Sequence, residues 1–155
     1  MAGTLHVVVA TIAFGMGIDN PHVRYVIHFT VPQTLEDFYQ ESGRAGRDGQ
    51  PSVSILYSSR EDIRFRAMLL SKSLSSEDEK GPRNASKEKV VENKRHALEK
   101  MSDYCMEAGC RRRAVLAYFG EVVALKDVVR VCRSTCDHCQ NPSLVAKTIR
   151  EAKDR

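Results

Sequence analysis

No apolar run in these 155 residues approaches the ~18 that a membrane-spanning helix requires. The N-terminus has no charged segment leading into the apolar core of a secretory signal, so the expected compartment is cytosol or nucleus. A Gly-x4-Gly-Lys-Ser/Thr loop is also missing, which excludes a phosphate cradle of that type within the chain. Internal repeats are absent, and low complexity is confined to one serine-rich segment, which rules out a repeat architecture. What is there is ordinary for a globular protein. Hydrophobic residues make up 42 % and charged residues 28 %, too apolar a balance for a disordered chain. The length allows one compact domain or two small ones. A net charge of +4 gives a mild lean towards polyanions.

The β-branched run Leu5 to Ala10 predicts a strand buried on both faces. Arg24 to Thr30 and Ser52 to Ser58 predict two more. Between these two, Leu35, Phe38 and Tyr39 recur at helical spacing, with Thr34 placed as N-cap and Asp37 three positions on. Strand, helix, strand in this order points to a parallel sheet with right-handed crossovers. Arg60 to Lys72 continues as an amphipathic helix. The serine-rich, charged stretch Ser71 to Lys89, with Gly81-Pro82 inside, reads as a linker or mobile loop. Helices are then expected over Glu92–Met106 and Arg111–Phe119, a tight knot over Cys132–Cys139, and a helical or frayed tail from Leu144.

Five cysteines without a secretory signal favour metal or free thiol over disulfides. Cys110, Cys132, Cys136 and Cys139 form C-x21-C-x3-C-x2-C, and such short spacings suit a tetrahedral Zn²⁺ with Zn–S bonds of ~2.3 Å. Cys110 opens a helix, where the dipole favours its thiolate. From Cys110 to Arg133, six basic residues face two acids, a formal +4 against the −2 of a four-thiolate zinc site. Clustered structural cysteines without metal are the alternative. His138 lies between better-placed thiols and is left out, and Cys105 falls on an apolar helical stripe as a core thiol. A closed thiolate set has no open position for catalysis, so a zinc hydrolase is excluded.

The stretch Gln40-Glu-Ser-Gly-Arg-Ala-Gly-Arg-Asp-Gly49 puts Arg44 and Arg47 on a glycine-rich corner after a helix. Paired guanidiniums of fixed geometry suit transferring phosphates. A basic turn bonded to Glu41 and Asp48 accounts for the same residues. A second segment, Val9 to Asp19, leaves a strand for a glycine turn ending in an acid, as in sites beyond the carboxyl ends of parallel strands.

These two segments, VVVATIAFGMGIDNPHVRYVIHF and YQESGRAGRDG, resemble motifs V and VI of superfamily-two helicases in the form used by the RecQ family. Cys110-Arg-Arg-Arg-Ala-Val-Leu-Ala-Tyr-Phe-Gly-Glu121 and Cys132-Arg-Ser-Thr-Cys136-Asp-His-Cys139 are similar to that family's zinc-binding module, in the same order. The resemblance covers roughly residues 7–142. It implies an α/β fold: a partial RecA-like parallel-sheet lobe over 1–73, a linker or mobile loop over 74–91, a mainly helical zinc module over 92–142, and the start of a following domain or tail over 143–155.

The resemblance also implies roles. Arg47 would be the arginine finger on the γ-phosphate of ATP, with Arg44 beside it coupling phosphate sensing to lobe closure. Asp19 would lie at the nucleotide side of the cleft. Thr11 would contact a phosphate of the tracking strand, with Gln33, Arg64 and Arg66 as further DNA contacts. Cys110, Cys132, Cys136 and Cys139 would hold structural Zn²⁺. The activity implied is ATP- and Mg²⁺-dependent 3′-to-5′ unwinding of DNA in replication, recombination or repair, at a nuclear address (cytoplasmic for a bacterial member). Without a Walker loop or acidic motif, the chain reads as a fragment that does not hydrolyse ATP alone. The rival reading is a non-catalytic zinc module that binds DNA or a partner protein.

Overall fold

The computed structural model describes residues 6–11, 20–78 and 85–154. Two short strands, β1 (Tyr25–His28) and β2 (Val53–Leu56), pair in parallel with Tyr25 opposite Val53 and His28 opposite Leu56. Helix α1 (Leu35–Ser42) makes the crossover between them. Its start follows from side-chain chemistry: the Thr34 hydroxyl accepts the Asp37 amide at 3.0 Å, and Glu36 and Asp37 complement the helix dipole.

Helix α2 (Arg60–Asp78) opens on a reciprocal cap that the sequence reading did not identify. The Asp62 amide donates to Ser59 Oγ at 3.0 Å, and the Ser59 amide donates to Asp62 Oδ2 at 3.2 Å. Helix α3 (Ala85–Met106) follows, then α4 (Arg111–Tyr118), a short 3₁₀ turn (Leu125–Asp127), α5 (Val128–Cys132), α6 (Asp137–Gln140) and α7 (Pro142–Asp154). None of the helices among the described residues is long and apolar enough to cross a membrane.

Two expectations need correction. The run predicted as a first strand is irregular over its described part, and Val7 and Val9 stand 79 % and 97 % exposed. A strand buried on both faces needs a layer on each side, and nothing described covers this one. The supposed linker is largely helical, since α2 runs on to Asp78 and α3 begins at Ala85. Serine and charge lower helix propensity only by tenths of a kcal/mol per residue, ~0.5 for serine, so composition alone does not stop a helix.

One core joins the two halves. Val31, Leu35 and Phe38 from the α1 region pack with Met101 and Cys105 of α3, flanked by Leu56, Ile63 and Tyr118. Cys105 is thus a core thiol, as its stripe position implied, and burial pushes its pKa up to about 11.

Candidate functional site

Two chemical centres are built on this frame. The first is the corner that follows α1. Gly43 caps the helix in an ordinary right-handed conformation. The strained positions come later, at Gly46 (φ 69°) and Gly49 (φ 78°). Gly46 has a further reason to lack a side chain: a Cβ there would sit 2.4 Å from Ser52 Oγ and 2.9 Å from the Gln50 carbonyl oxygen. Arg44 emerges half-buried and Arg47 exposed. The two acids of the segment are engaged by residues in and just before β1. Both Asp48 oxygens lie 2.8 Å from Arg24 Nη2, and Glu41 Oε2 lies 2.8 Å from His28 Nε2. The hydrogen bond from Arg24 holds the Asp48 carboxyl below the usual range, against its desolvation.

The second centre is the cysteine knot. The sulfurs of Cys110, Cys132, Cys136 and Cys139 all lie within 4.8 Å of one another, and all five cysteines of the chain are free thiols. A tetrahedron of ~2.3 Å Zn–S bonds has edges of ~3.8 Å, so the donor set fits the ion. The geometry comes from a turn in which Arg133 and Ser134 both take positive φ, 51° and 52°. That turn reverses the chain after α5 and brings Cys136 back as N-cap of α6, its sulfur accepting the Cys139 amide at 3.4 Å. Two non-glycine residues in this region each cost ~1–2 kcal/mol.

The thiol electrostatics differ from the sequence expectation. Cys110 does cap α4, but without a side-chain cap bond, and its burial pushes the thiol pKa up. The low-pKa member is Cys132. Burial opposes its thiolate, yet hydrogen bonding by Cys136 and the Thr135 amide brings it down to about 6.

The basic residues counted as charge balance have individual positions. Arg111 donates to both oxygens of Asp137, at 2.9 and 3.0 Å, and to the Tyr104 carbonyl at 2.7 Å, while lying over the Tyr104 ring. It therefore fastens the end of α3 to the knot. Burial would raise the Asp137 carboxyl, but Arg111 outweighs it and holds the group below its usual range. Arg113 donates to the Val123 carbonyl at 3.0 Å and Arg112 to Thr135 Oγ1 at 3.3 Å.

Aromatic contacts join the two centres. Phe38 of α1 stacks on Tyr104 of α3 at 5.2 Å, and Tyr39 on Phe119 at 5.1 Å. Neither spacing nor composition signals these pairs, because each partner is remote in sequence.

The remaining sequence candidates are dispersed. Gln33 and Arg66 line one cavity of about 240 Å³ with Thr34, Ser73, Lys94 and Leu98. Arg66 also donates to the Val31 carbonyl at 2.9 Å. Arg64 is exposed on α2 and is not among the residues lining that cavity, and Thr11 is exposed in the irregular segment. Asp19 lies outside the described residues.

Comparison with known proteins matches this arrangement in chain order. The family model described as RecQ zinc-binding matches residues 60–140, and the helicase conserved C-terminal domain matches residues 1–49. Mouse ATP-dependent DNA helicase Q5 is 40 % identical over 144 residues, 92 % of this chain and 14 % of that protein. ATP-dependent helicase SGS1 of Saccharomyces cerevisiae is 42 % identical over 154 residues, 99 % of this chain and 10 % of that protein. The Bacillus subtilis ATP-dependent DNA helicase RecQ is 42 % identical over 117 residues, 76 % of this chain and 18 % of that protein. The chain thus spans under a fifth of the length of each of these relatives. Its cofactor is structural zinc, as the zinc-binding match and the convergent thiolates together require. With a helicase C-terminal segment leading into a zinc-binding module that covers more than half its length, the chain belongs to the RecQ family of DNA helicases.

Proposed function

We propose that this chain forms the ATP-sensing corner and zinc-stabilised module of an ATP-dependent helicase that unwinds duplex DNA with 3′-to-5′ polarity. The observation that carries this reading is the Arg44–Arg47 corner, a defined turn set by Gly46 and Gly49 directly after a capped helix. Arg47 acts as an arginine finger on the γ-phosphate, and Arg44 couples phosphate sensing to lobe closure. Asp19 belongs to the nucleotide side of the same cleft. ATP and Mg²⁺ are held by phosphate-binding and acidic motifs outside this sequence. Zinc, on Cys110, Cys132, Cys136 and Cys139, supplies a structural cross-link when bound. Thr11, Gln33, Arg64 and Arg66 contribute phosphate contacts along the tracked strand. The site of action is the nucleus for a eukaryotic member and the cytoplasm for a bacterial one.

The test is kcat for DNA-stimulated ATP hydrolysis in a full-length protein containing this segment. Arg47→Ala should lower it by ~10³–10⁵, the range typical of arginine fingers. Arg47→Lys should also be badly impaired, because it keeps the charge but loses the planar fork. A kcat within a few-fold of the parent would return Arg47 to the status of a basic surface turn.

A second reading is favoured by the exposure of Arg112, Arg113, Lys126, Arg130 and Arg133 around the cysteine knot. In that reading the chain is a non-catalytic zinc module that binds DNA or a partner protein. DNA or protein binding by the isolated chain, together with a kcat for ATP in the full-length protein that Arg47→Ala leaves within a few-fold of the parent, would favour it.

A further inference from the structure

The arginine corner is tied to one short stretch of chain, residues 23–28, at three points. At its entry, Glu41 Oε2 sits 2.8 Å from His28 Nε2, with the two side chains only 19 % and 7 % exposed. In its middle, the Gly46 amide donates to the Val23 carbonyl at 2.9 Å. At its exit, both Asp48 oxygens lie 2.8 Å from Arg24 Nη2. Arg44 and Arg47 fall between these tethers, and neither is more than three residues from one.

The anchors are themselves immobilised by the sheet. The Arg24 carbonyl accepts the Val53 amide at 2.9 Å, and the His28 carbonyl accepts the Tyr57 amide at 3.0 Å. Arg24 further donates to the carbonyls of Pro21, at 2.5 Å, His22 and Pro51. Its guanidinium is thus directed by three backbone acceptors before it meets Asp48. His28 is directed by its stack on Phe38, with ring centroids 5.1 Å apart. A displacement of either anchor side chain would release one end of the turn from the stretch that holds it, while the Gly46 amide still donates to the Val23 carbonyl in its middle.

We propose that Arg24, acting through Asp48, and His28, acting through Glu41, are positioning residues that set where the Arg47 guanidinium points. The proposal rests on the reading of Arg47 as a γ-phosphate contact. A catalytic cation must be held within about 0.5 Å of its productive place, and this is the type of support that such placement requires. Truncation of either pair leaves the arginine present but loosely aimed.

The experiment measures steady-state ATP hydrolysis in a full-length protein containing this segment, for Asp48→Asn, Arg24→Gln, Arg24→Lys, Glu41→Gln and Arg47→Ala. Asp48→Asn and Glu41→Gln should lower kcat ten-fold or more with KM for ATP within three-fold, and with zinc content and DNA affinity unchanged. Arg24→Lys should recover part of the activity that Arg24→Gln loses. The decisive readout is the double variant. In an Arg47→Ala background, Asp48→Asn should produce no further loss, because its effect passes through Arg47. A comparable loss in both backgrounds would mean a general structural role and would overturn the proposal. So would kcat within two-fold of the parent for Asp48→Asn and Glu41→Gln while Arg47→Ala is crippled; that outcome leaves the arginine-finger reading standing. An Arg47→Ala variant that retains kcat would overturn both.

Discussion

The Tyr118 hydroxyl donates to Glu36 Oε1 at 2.5 Å, across 82 positions of sequence. This bond ties the end of α4, the helix opened by the zinc-cluster residue Cys110, to the first turn of α1, the helix that leads into the arginine corner. Tyr118→Phe removes it and should cost about 1 kcal/mol, since the bond is to a charged but partly hydrated group. Its pH dependence has a definite sign. Burial and Glu36 together push the Tyr118 phenol up to about 12, so its contribution is full below the ordinary value of 10.0 and lost as pH rises through about 12. Glu36 feels burial first, but the Tyr118 hydroxyl and local hydrogen bonds outweigh it and lower its pKa. That contribution is present above the ordinary carboxylate range and lost as pH falls through the lowered value. Thermal melts from pH 9 to 12 should show a steeper fall for the parent than for Tyr118→Phe. Parallel curves would mean that the bond contributes nothing.

Metal dependence separates the cysteines. Structural zinc contributes ~10–16 kcal/mol of apparent binding free energy in small modules, more than the packing of a few short helices supplies. Cys136→Ser should therefore abolish stoichiometric zinc and unfold residues around the knot, as should chelation of the parent. Cys105→Ser should keep one Zn²⁺ per chain and lose only core stability, because Cys105 lies in the apolar cluster. Metal analysis and circular dichroism on the purified chain check both.

The corner glycines offer a paired comparison. Gly49→Ala meets nothing within 4 Å and carries only the strain of its positive φ, about 1 kcal/mol. Gly46→Ala adds a collision with the Gln50 carbonyl, which belongs to the backbone and cannot rotate away. It should cost at least twice as much in chemical denaturation. Equal costs would contradict the described turn.

DNA binding by the isolated chain should be weak, indifferent to base sequence and salt-sensitive. A few phosphate contacts give a shallow negative slope of log affinity against log salt, at ~0.9 per phosphate on duplex and ~0.7 on single strands. Arg64→Ala and Arg66→Ala should each reduce that slope, measured by fluorescence anisotropy. Binding unaffected by salt would count against the proposed contacts.

Local signals were legible without coordinates. Thr34 as a cap, the helical stripe through Leu35 and Phe38, the two β-branched runs on either side and the spacing of four cysteines are short-range patterns, and each appears where its chemistry dictates. The described part of the predicted first strand, His6 to Ala10, is irregular for the complementary reason. Its apolar run satisfies a local rule, but a buried strand exists only where other layers cover it. The described ends of the serine-rich segment, up to Asp78 and from Ala85, are helix for a similar reason, since weak propensity does not oppose helices that pack against each other.

Long-range pairings were decided only by the tertiary structure. From its sequence, the corner Gln40–Gly49 allowed Glu41 and Asp48 to neutralise their own neighbouring arginines. The fold adds partners that the sequence did not signal, His28 for Glu41 and Arg24 for Asp48, because the parallel crossover returns the corner beside β1 and the residue before it. Likewise, the four cysteines converge because a left-handed turn at Arg133 and Ser134 brings Cys136 and Cys139 back towards Cys132 and Cys110. Residue type and spacing determined which groups this protein can use. Burial and backbone direction, which arise only once distant segments pack, determined which partner each group received.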